Sequence, residues 1–352
     1  MTDTEPQNLF AQQASNRRRS RWLIVTFVLF FAWLGLGGDW IAWQLTKDLP
    51  PRQYHHQLPI LGMLMFGIAF GLIAYIKKTG AEKVLWSTGA RHLNAPKSDP
   101  ERMLVNVVEE MAIAAGITMP KLWLVDDPDP NAFATGTDPA KSHIAVTTGL
   151  LEMCSRDELQ AVIGHEMGHV KNLDMQLMTM IAGLVGAVAL IADGLGRGLR
   201  HGFVGGRRSG GWRSGGGRGG SGKSNLGPLV AVVIVVWLIS WILAPIVTRM
   251  LAVGISRRRE YLADAMSAQF TRNPLALASA LEKIEHSAAP TKSIKGGVAH
   301  LCIADPLGRK LSAREGFVAD MLATHPPMAI RVARLKAMGY QAQKAAGNFQ
   351  PT

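Results

Sequence analysis

The sequence predicts a mainly α-helical protein with a small β-sheet, in which a folded domain is attached to transmembrane helices. Two long apolar runs near the N-terminus predict the membrane helices, and most other segments show helical spacing interrupted by two short strand patterns. The chain has 352 residues, 48% of them hydrophobic, and a mean hydropathy of +0.12, which is high for a soluble globular protein. Composition and patterning therefore both favour a membrane protein.

The two leading runs are Trp22–Trp43 and Leu58–Ile76, and each is long enough to cross a bilayer. A cleaved signal peptide is the alternative interpretation of the first run, but no small-residue cleavage site follows it and tryptophans mark its far end. Residues 1–20 are polar, basic and without periodicity, which predicts a disordered tail. We therefore expect a tail followed by two transmembrane helices over 21–78.

The net charge of +12 can indicate nucleic-acid binding or cytoplasmic loops of a membrane protein. The basic residues cluster beside the apolar runs, with Arg17–Arg21 before the first run and Lys77 and Lys78 after the second. This places both ends in the cytoplasm, and only two cysteines, Cys154 and Cys302, fit a reducing compartment. No nucleic-acid partner is expected.

The folded domain is predicted in two parts, 79–174 and 254–352. In the first part, Glu101–Gly116 has helical spacing, while Lys121–Val125 and His143–Thr147 read as strands. A capping box then opens a strong helix whose apolar face continues past residue 163. Its residues are Ser155 and Glu158.

Residues 175–253 contain two further apolar runs, Met175–Ala192 and Leu229–Val253. A flexible stretch rich in Gly, Arg and Ser, 194–227, joins them. Because the domain resumes after the second of these runs, the pair must cross the membrane twice or not at all. Crossing would put the basic linker outside, against the positive-inside bias, and the sequence leaves both alternatives open. An RNA- or lipid-binding arm is a further alternative for the linker.

The string His165-Glu166-Met167-Gly168-His169 lies within the capped helix. Histidines at i and i+4 share one helix face, so both imidazoles can reach a single zinc ion. Glu166 is then placed beside the metal, where it can take a proton from water.

A catalytic zinc site needs a third protein ligand. Glu260 and Asp264 are spaced i, i+4, so one carboxylate can bind zinc while the other orients a histidine ligand. A solvated acidic face that balances Arg257–Arg259 is the alternative. Other histidines on the domain side of the membrane are also candidates: His92, His143, His201, His286, His300 and His325.

The chain resembles the HtpX-type membrane zinc peptidases, which are related to the CaaX prenyl proteases. Four elements carry the resemblance in order: Asn131–Gly136, His165–His169, Glu260 to Asp264, and Thr324-His325-Pro326-Pro327 followed by Arg331. The resemblance implies a zincin-like (gluzincin) catalytic domain and one zinc per chain, with Glu260 as third ligand. It places His325 near the reaction centre as an oxyanion stabiliser, with Asp264 and Arg331 behind the ligands. It also implies a strand edge that binds extended substrate, formed by Asn131, Ala132, Phe133, Ala134 and Thr135.

The implied function is endoproteolysis of damaged or misassembled membrane proteins in a bacterial plasma (inner) membrane, with the catalytic domain cytoplasmic. The expected partners are protein or peptide substrates and the lipid bilayer, and a homo-oligomer is compatible with the sequence. Processing of prenylated CaaX-type substrates is the main alternative, because it uses the same chemistry. A basic RNA- or lipid-binding membrane protein is the other.

Overall fold

A computed structural model describes residues 9–47, 58–184, 186, 234–240, 257–287, 293, 301–304 and 326–345. The chain divides into two compact units. The first comprises Met1–Leu23, Ala74–Leu184 and Met250–Thr352, and the second Ile24–Ile73 and Val185–Arg249. His325, the linker 194–227 and most of the fourth apolar run lie outside the described residues.

Helices α1, Leu9–Thr46, and α2, Ile60–Ser87, contain the two leading apolar runs. By length and composition, Gln13–Thr46 and Ile60–Ser87 are candidate membrane spans. In the second unit, the Asp39 carboxylate accepts hydrogen bonds from the Leu61 and Gly62 backbone N–H groups at 3.1 and 2.6 Å. Asp39 therefore caps the first turn of α2, whose N–H groups have no partner within the helix.

The described piece of the fourth apolar run, 234–240, is helical and packs on α1 within the second unit. The Trp237 Nε1–H donates to the Leu34 carbonyl at 2.8 Å. The indole lies over Gly37, where a Cβ would come within 2.6 Å of it. Only a glycine at position 37 leaves room for the ring, so Gly37 allows Trp237 to pack directly against the α1 backbone.

Residues 9–20 were predicted to be disordered, and the structure corrects this: α1 begins at Leu9. Asn16 and Ser20 are buried while Arg17, Arg18 and Arg19 are exposed. This part of the helix is ordered by packing against the first unit, through long-range contacts that its polar composition does not reveal.

The first unit contains a four-stranded sheet of order β1-β2-β4-β3. Its strands are β1 Arg91–His92, β2 Lys121–Val125, β3 Ala132–Thr135 and β4 His143–Thr147. The β2–β4 pair is parallel and the other two pairs are antiparallel. The predicted strands over 121–125 and 143–147 are confirmed, and β3 lies at one edge.

Besides a helix over residues 174–184, the first unit has these described α-helices beyond α2: α3 Asp99–Ala115, α4 Thr148–Met153, α5 Arg156–Lys171, α6 Arg257–Thr271, α7 Pro274–His286 and α8 Met328–Ala345. Helix α5 is central and packs against α3, α6, α7 and β3. Its predicted capping box is present, with the Glu158 carboxylate accepting from the Ser155 backbone N–H at 2.8 Å. Its apolar face is fully buried, so α5 is held as a rigid core element.

Residues 174–184, the start of the third apolar run, are helical and buried in the first unit. The Thr179 hydroxyl accepts from the Gly136 N–H at 2.9 Å and contacts the Thr135 hydroxyl at 2.9 Å. This half of the run is therefore a wall of the folded unit beside β3.

Candidate metal centre

Two histidines from α5 and a glutamate from α6 converge in the first unit. The Nε2 atoms of His165 and His169 are 3.1 Å apart. The Glu260 carboxylate lies 3.7 Å from Nε2 of His165 and 3.5 Å from Nε2 of His169. Among the described residues, these three form the one group of at least three potential ligands within 4.8 Å of one another.

Close packing of α5 on α6 brings Glu260 to the histidines. A Cβ at Gly168 would lie 3.2 Å from the Ala263 Cα, so the helices approach closely where α5 has no side chain. The Ser267 hydroxyl donates to the Ala161 carbonyl at 2.6 Å and links the two helices further along. Ala263 is one turn beyond Glu260, so this contact sets the distance between the carboxylate and the imidazoles.

His165 is fully buried and is supported by an ion pair. Its Nδ1 lies 2.9 Å from Asp264 Oδ1. Arg331 from α8 donates to both Asp264 oxygens at 2.9 and 2.7 Å and to the Ile303 carbonyl at 2.9 Å. Burial lowers the pKa of His165 to about 4. A neutral imidazole that donates from Nδ1 to Asp264 leaves its Nε2 lone pair facing Glu260 and His169.

His169 has a different support, which the sequence interpretation missed. Its Nδ1 lies 3.2 Å from Asp174 Oδ2. The other Asp174 oxygen accepts from the Asn16 amide at 2.7 Å, and Arg259 Nε lies 3.7 Å from it. Burial favours the neutral imidazole, but Glu260 and Asp174 outweigh it and raise the pKa of His169 to about 9. An acidic residue just after the motif helix was the available signal for Asp174, whereas nothing in the polar tail marked Asn16.

Glu166 faces the same cavity without joining the ligand group. Its side chain is buried, and neither carboxylate oxygen has a hydrogen-bond partner in the described part of the chain. The nearby Ala134 N–H favours the charged form but does not reach hydrogen-bond geometry. Burial, reinforced by Glu260, raises the pKa of Glu166 to about 7. The cavity is lined by Ala134, Glu166, His169, Met175, Met178, Glu260 and Leu301.

The predicted substrate edge is partly occupied by the chain itself. Phe133 of β3 forms an isolated antiparallel bridge with Cys302, and the Ile303 N–H donates to the Ala132 carbonyl at 2.9 Å. The buried Asn131 amide donates to the Ala304 carbonyl at 3.0 Å. Asn131 thus holds residues 301–304 against β3, a role the sequence did not suggest.

The other candidate histidines are not in the ligand group. His143 accepts from the Trp123 indole N–H at 3.0 Å, and His92 packs edge-on against the same indole. His286 is exposed at the end of α7. His201, His300 and His325 lie outside the described residues.

Residues 98–339 match the family model described as Peptidase family M48. A "Protease HtpX homolog" of Caldanaerobacter subterraneus is 37% identical over 335 residues, covering 94% of this chain and 98% of the relative. Another, of Tropheryma whipplei, is 41% identical over 281 residues, covering 80% and 86%. The crystal structure of S. mikatae Ste24p is 16% identical with a TM-score of 0.42, covering 89% of this chain and 66% of that one. The family match and the two HtpX homologues confirm the resemblance found in the sequence: the chain belongs to peptidase family M48 and is a membrane zinc metallopeptidase of the HtpX type.

Proposed function

We propose that the chain is a zinc endopeptidase of the zincin-like, gluzincin type, whose one zinc is held by His165 Nε2, His169 Nε2 and the Glu260 carboxylate. The observation that carries this is the convergence of these three donors. Two ligands of a tetrahedral zinc with bonds of 2.0–2.1 Å are about 3.4 Å apart, and the donors lie 3.1, 3.5 and 3.7 Å apart. Each imidazole turns its other nitrogen to a carboxylate, as metal-bound histidines do.

A zinc ion bound there supplies Lewis acidity, which polarises the scissile carbonyl and makes the attacking water more acidic. Glu166 is the general base: it accepts the water proton and returns it to the leaving amine. In the metal-free protein burial raises the pKa of Glu166 to about 7, which is the direction that favours uptake of a proton by a general base near neutral pH. The oxyanion role of His325 stays a prediction.

Substrate is proposed to bind as an extended strand along β3, by backbone hydrogen bonds that tolerate many sequences. The pairing of 301–303 with β3 supports this, because it is an antiparallel pairing of the kind an extended peptide makes. Leu301 reaches the cavity that contains Glu166 and Glu260. A peptide bound at Ala132–Ala134 would therefore replace the chain's own segment.

We propose that the enzyme is a multi-pass protein of a bacterial plasma membrane with its catalytic domain in the cytoplasm, acting on misfolded or damaged membrane proteins. The exposed arginines at 17–19, which directly precede the apolar run that begins at Trp22, support this orientation. Cleavage of an unmodified, unfolded membrane protein would support quality control, whereas activity confined to prenylated substrates would support CaaX-type processing.

The test is metal analysis and casein cleavage by the purified full-length protein and its Glu166→Gln variant. Because Glu166 is the base and not a ligand, the variant should keep one zinc per chain and lose cleavage by roughly two to four orders of magnitude. Glu109→Gln, an exposed site on α3, is the matched control and should behave like wild type. Cleavage near the wild-type rate by Glu166→Gln would refute the assignment.

A further inference from the structure

The N-terminal part of α1 docks on the end of the motif helix. The Gln13 amide donates to the Lys171 carbonyl at 2.8 Å. The Asn16 amide nitrogen donates to the Asn172 carbonyl at 2.9 Å and to Asp174 Oδ1 at 2.7 Å. These contacts join the segment that precedes the first apolar run to the turn that follows α5.

Asn16 is placed for its donor group. The residue is fully buried, and its amide oxygen has no hydrogen-bond partner among the described residues. Both neighbouring groups are acceptors, so the amide must present its nitrogen to them. A buried polar atom left unsatisfied costs free energy, which indicates that something other than stability keeps an amide here.

The acceptor that Asn16 contacts also faces a proposed metal ligand. Asp174 is fully buried, and its second oxygen lies 3.2 Å from His169 Nδ1. With one oxygen held by Asn16, rotation of the carboxylate is restricted, and the other oxygen stays directed at the imidazole. Arg259 lies 3.7 Å from the oxygen that Asn16 binds, too far for a hydrogen bond that could replace it.

We propose that Asn16 is a positioning residue of the metal site, which fixes Asp174 so that Asp174 orients His169. The inference rests on the proposed role of His169 as a zinc ligand. It makes the part of α1 that precedes the first apolar run a part of the metal site, so this helix positions a metal ligand as well as anchoring the catalytic unit. Removing a residue that hydrogen-bonds to a metal ligand typically lowers metal affinity about 10–100-fold. Asn16 contacts Asp174 and not the ligand His169 itself, so its loss should lower zinc affinity by about tenfold, the smaller end of that range.

The experiment compares Asn16→Leu with Gln13→Leu in the full-length protein. Both variants remove a hydrogen bond that docks α1, but only Asn16 contacts Asp174. The measurements are zinc affinity by chelator competition, the visible absorption of the cobalt-substituted protein, and thermal unfolding in excess chelator. We expect Asn16→Leu to bind zinc about tenfold more weakly and to shift the cobalt bands, and Gln13→Leu to do neither.

If Asn16→Leu does not fold, Asn16→Ser replaces it in the same measurements. Serine is small and polar enough to fit the site, but its hydroxyl cannot reach both the Asn172 carbonyl and Asp174 Oδ1. It should reproduce the tenfold loss. Zinc affinity and cobalt spectra equal to wild type in the folded Asn16 variant would overturn the inference, and so would an equal loss in Gln13→Leu. His169→Ala tests the underlying assignment separately: if it binds zinc as tightly as wild type, the proposed metal site itself is wrong.

Discussion

The two histidines of the motif lie one turn apart on the same helix, yet their surroundings differ. His165 is backed by Asp264, which Arg331 holds with two hydrogen bonds. His169 is backed by Asp174, which accepts a hydrogen bond from the neutral Asn16 amide and has Arg259 at 3.7 Å, beyond hydrogen-bond distance. The first imidazole has its pKa lowered to about 4 and the second has its pKa raised to about 9.

The difference shows that one short motif depends on both ends of the chain. The hydrogen-bonded support of His165 comes from α6 and α8 in the C-terminal part, whereas that of His169 comes from the turn after α5 and from the start of α1, with Arg259 of α6 at 3.7 Å. An ion pair in the interior fixes geometry at the cost of desolvating two charges, and removing one partner leaves the other charge buried. An amide carries no such cost, so the His169 side should respond more mildly to mutation.

The largest expected effect is on the ion-paired side. Arg331→Met should lower the free energy of unfolding by about 3–5 kcal/mol, because Asp264 would remain buried without its cationic partner. Denaturant unfolding of the metal-free protein measures this. Lys336→Met, which breaks the exposed Lys336–Glu282 ion pair of the same helix, is the control and should cost less than about 1 kcal/mol. A loss below about 1 kcal/mol in Arg331→Met, typical of an exposed pair, would contradict the contrast between the two supports.

The next largest effect is expected on zinc affinity, which should fall more when the support of His165 is changed than when that of His169 is changed. Asp264→Asn should weaken zinc binding about 10–100-fold, because a neutral amide is a poorer acceptor for the His165 Nδ1–H than a carboxylate. Chelator competition measures it, with the exposed Asp157→Asn on α5 as control. We expect a larger loss than in the Asn16 variants, since Asp264 contacts its histidine directly. The opposite order would mean that the amide-supported side governs the metal.

Local features of this site were predictable from the sequence. The capping box at Ser155 and Glu158 and the i, i+4 spacing of the histidines are encoded within a few residues, and both are present in α5. The strand patterns over 121–125 and 143–147 were equally local.

The supports of His169 were not predictable in the same way. Asn16 and Asp174 are 158 positions apart in the sequence, and residues 9–20 have no apolar periodicity from which docking could be inferred. Likewise, nothing near Asn131 indicated that its amide holds residues 301–304. Polar contacts between distant segments depend on the tertiary fold, so a family resemblance could supply Glu260 but not Asn16.

The pH dependence of zinc binding should distinguish the histidines again. With a pKa of about 9, His169 is protonated at neutral pH in the metal-free protein and must release its proton to bind zinc. His165, with a pKa of about 4, is already neutral. Zinc affinity should therefore rise about tenfold per pH unit between pH 7 and 8 and level off above pH 9. Equal affinities at pH 7 and 8, after correction for the chelator, would contradict the raised pKa.

The smallest expected effect comes from moving Glu260 away from both histidines. Gly168→Ala places a methyl group 3.2 Å from the Ala263 Cα, where only backbone can yield, so α5 and α6 must separate by a few tenths of an ångström. Overpacking costs about 1–3 kcal/mol, and the better helix propensity of alanine returns up to about 1 kcal/mol. A net loss of about 1 kcal/mol in unfolding free energy and a modest fall in zinc affinity are expected.

Gly164→Ala, one turn earlier, is the matched control for that change. Its nearest contact is the Ser267 hydroxyl at 3.2 Å, which can shift slightly while it keeps its hydrogen bond to the Ala161 carbonyl, and the nearest backbone atom lies at 3.5 Å. Because the gain in helix propensity is the same at both positions, the difference between the variants isolates the helix–helix approach. If zinc binding falls in Gly168→Ala but not in Gly164→Ala, the spacing of α5 and α6 beside Glu260 sets the site. If both variants bind zinc equally well, the Glu260 carboxylate adjusts to the histidines when the helices separate. In that case Asp264 and Asp174, behind the two imidazoles, determine the metal geometry without the helix spacing.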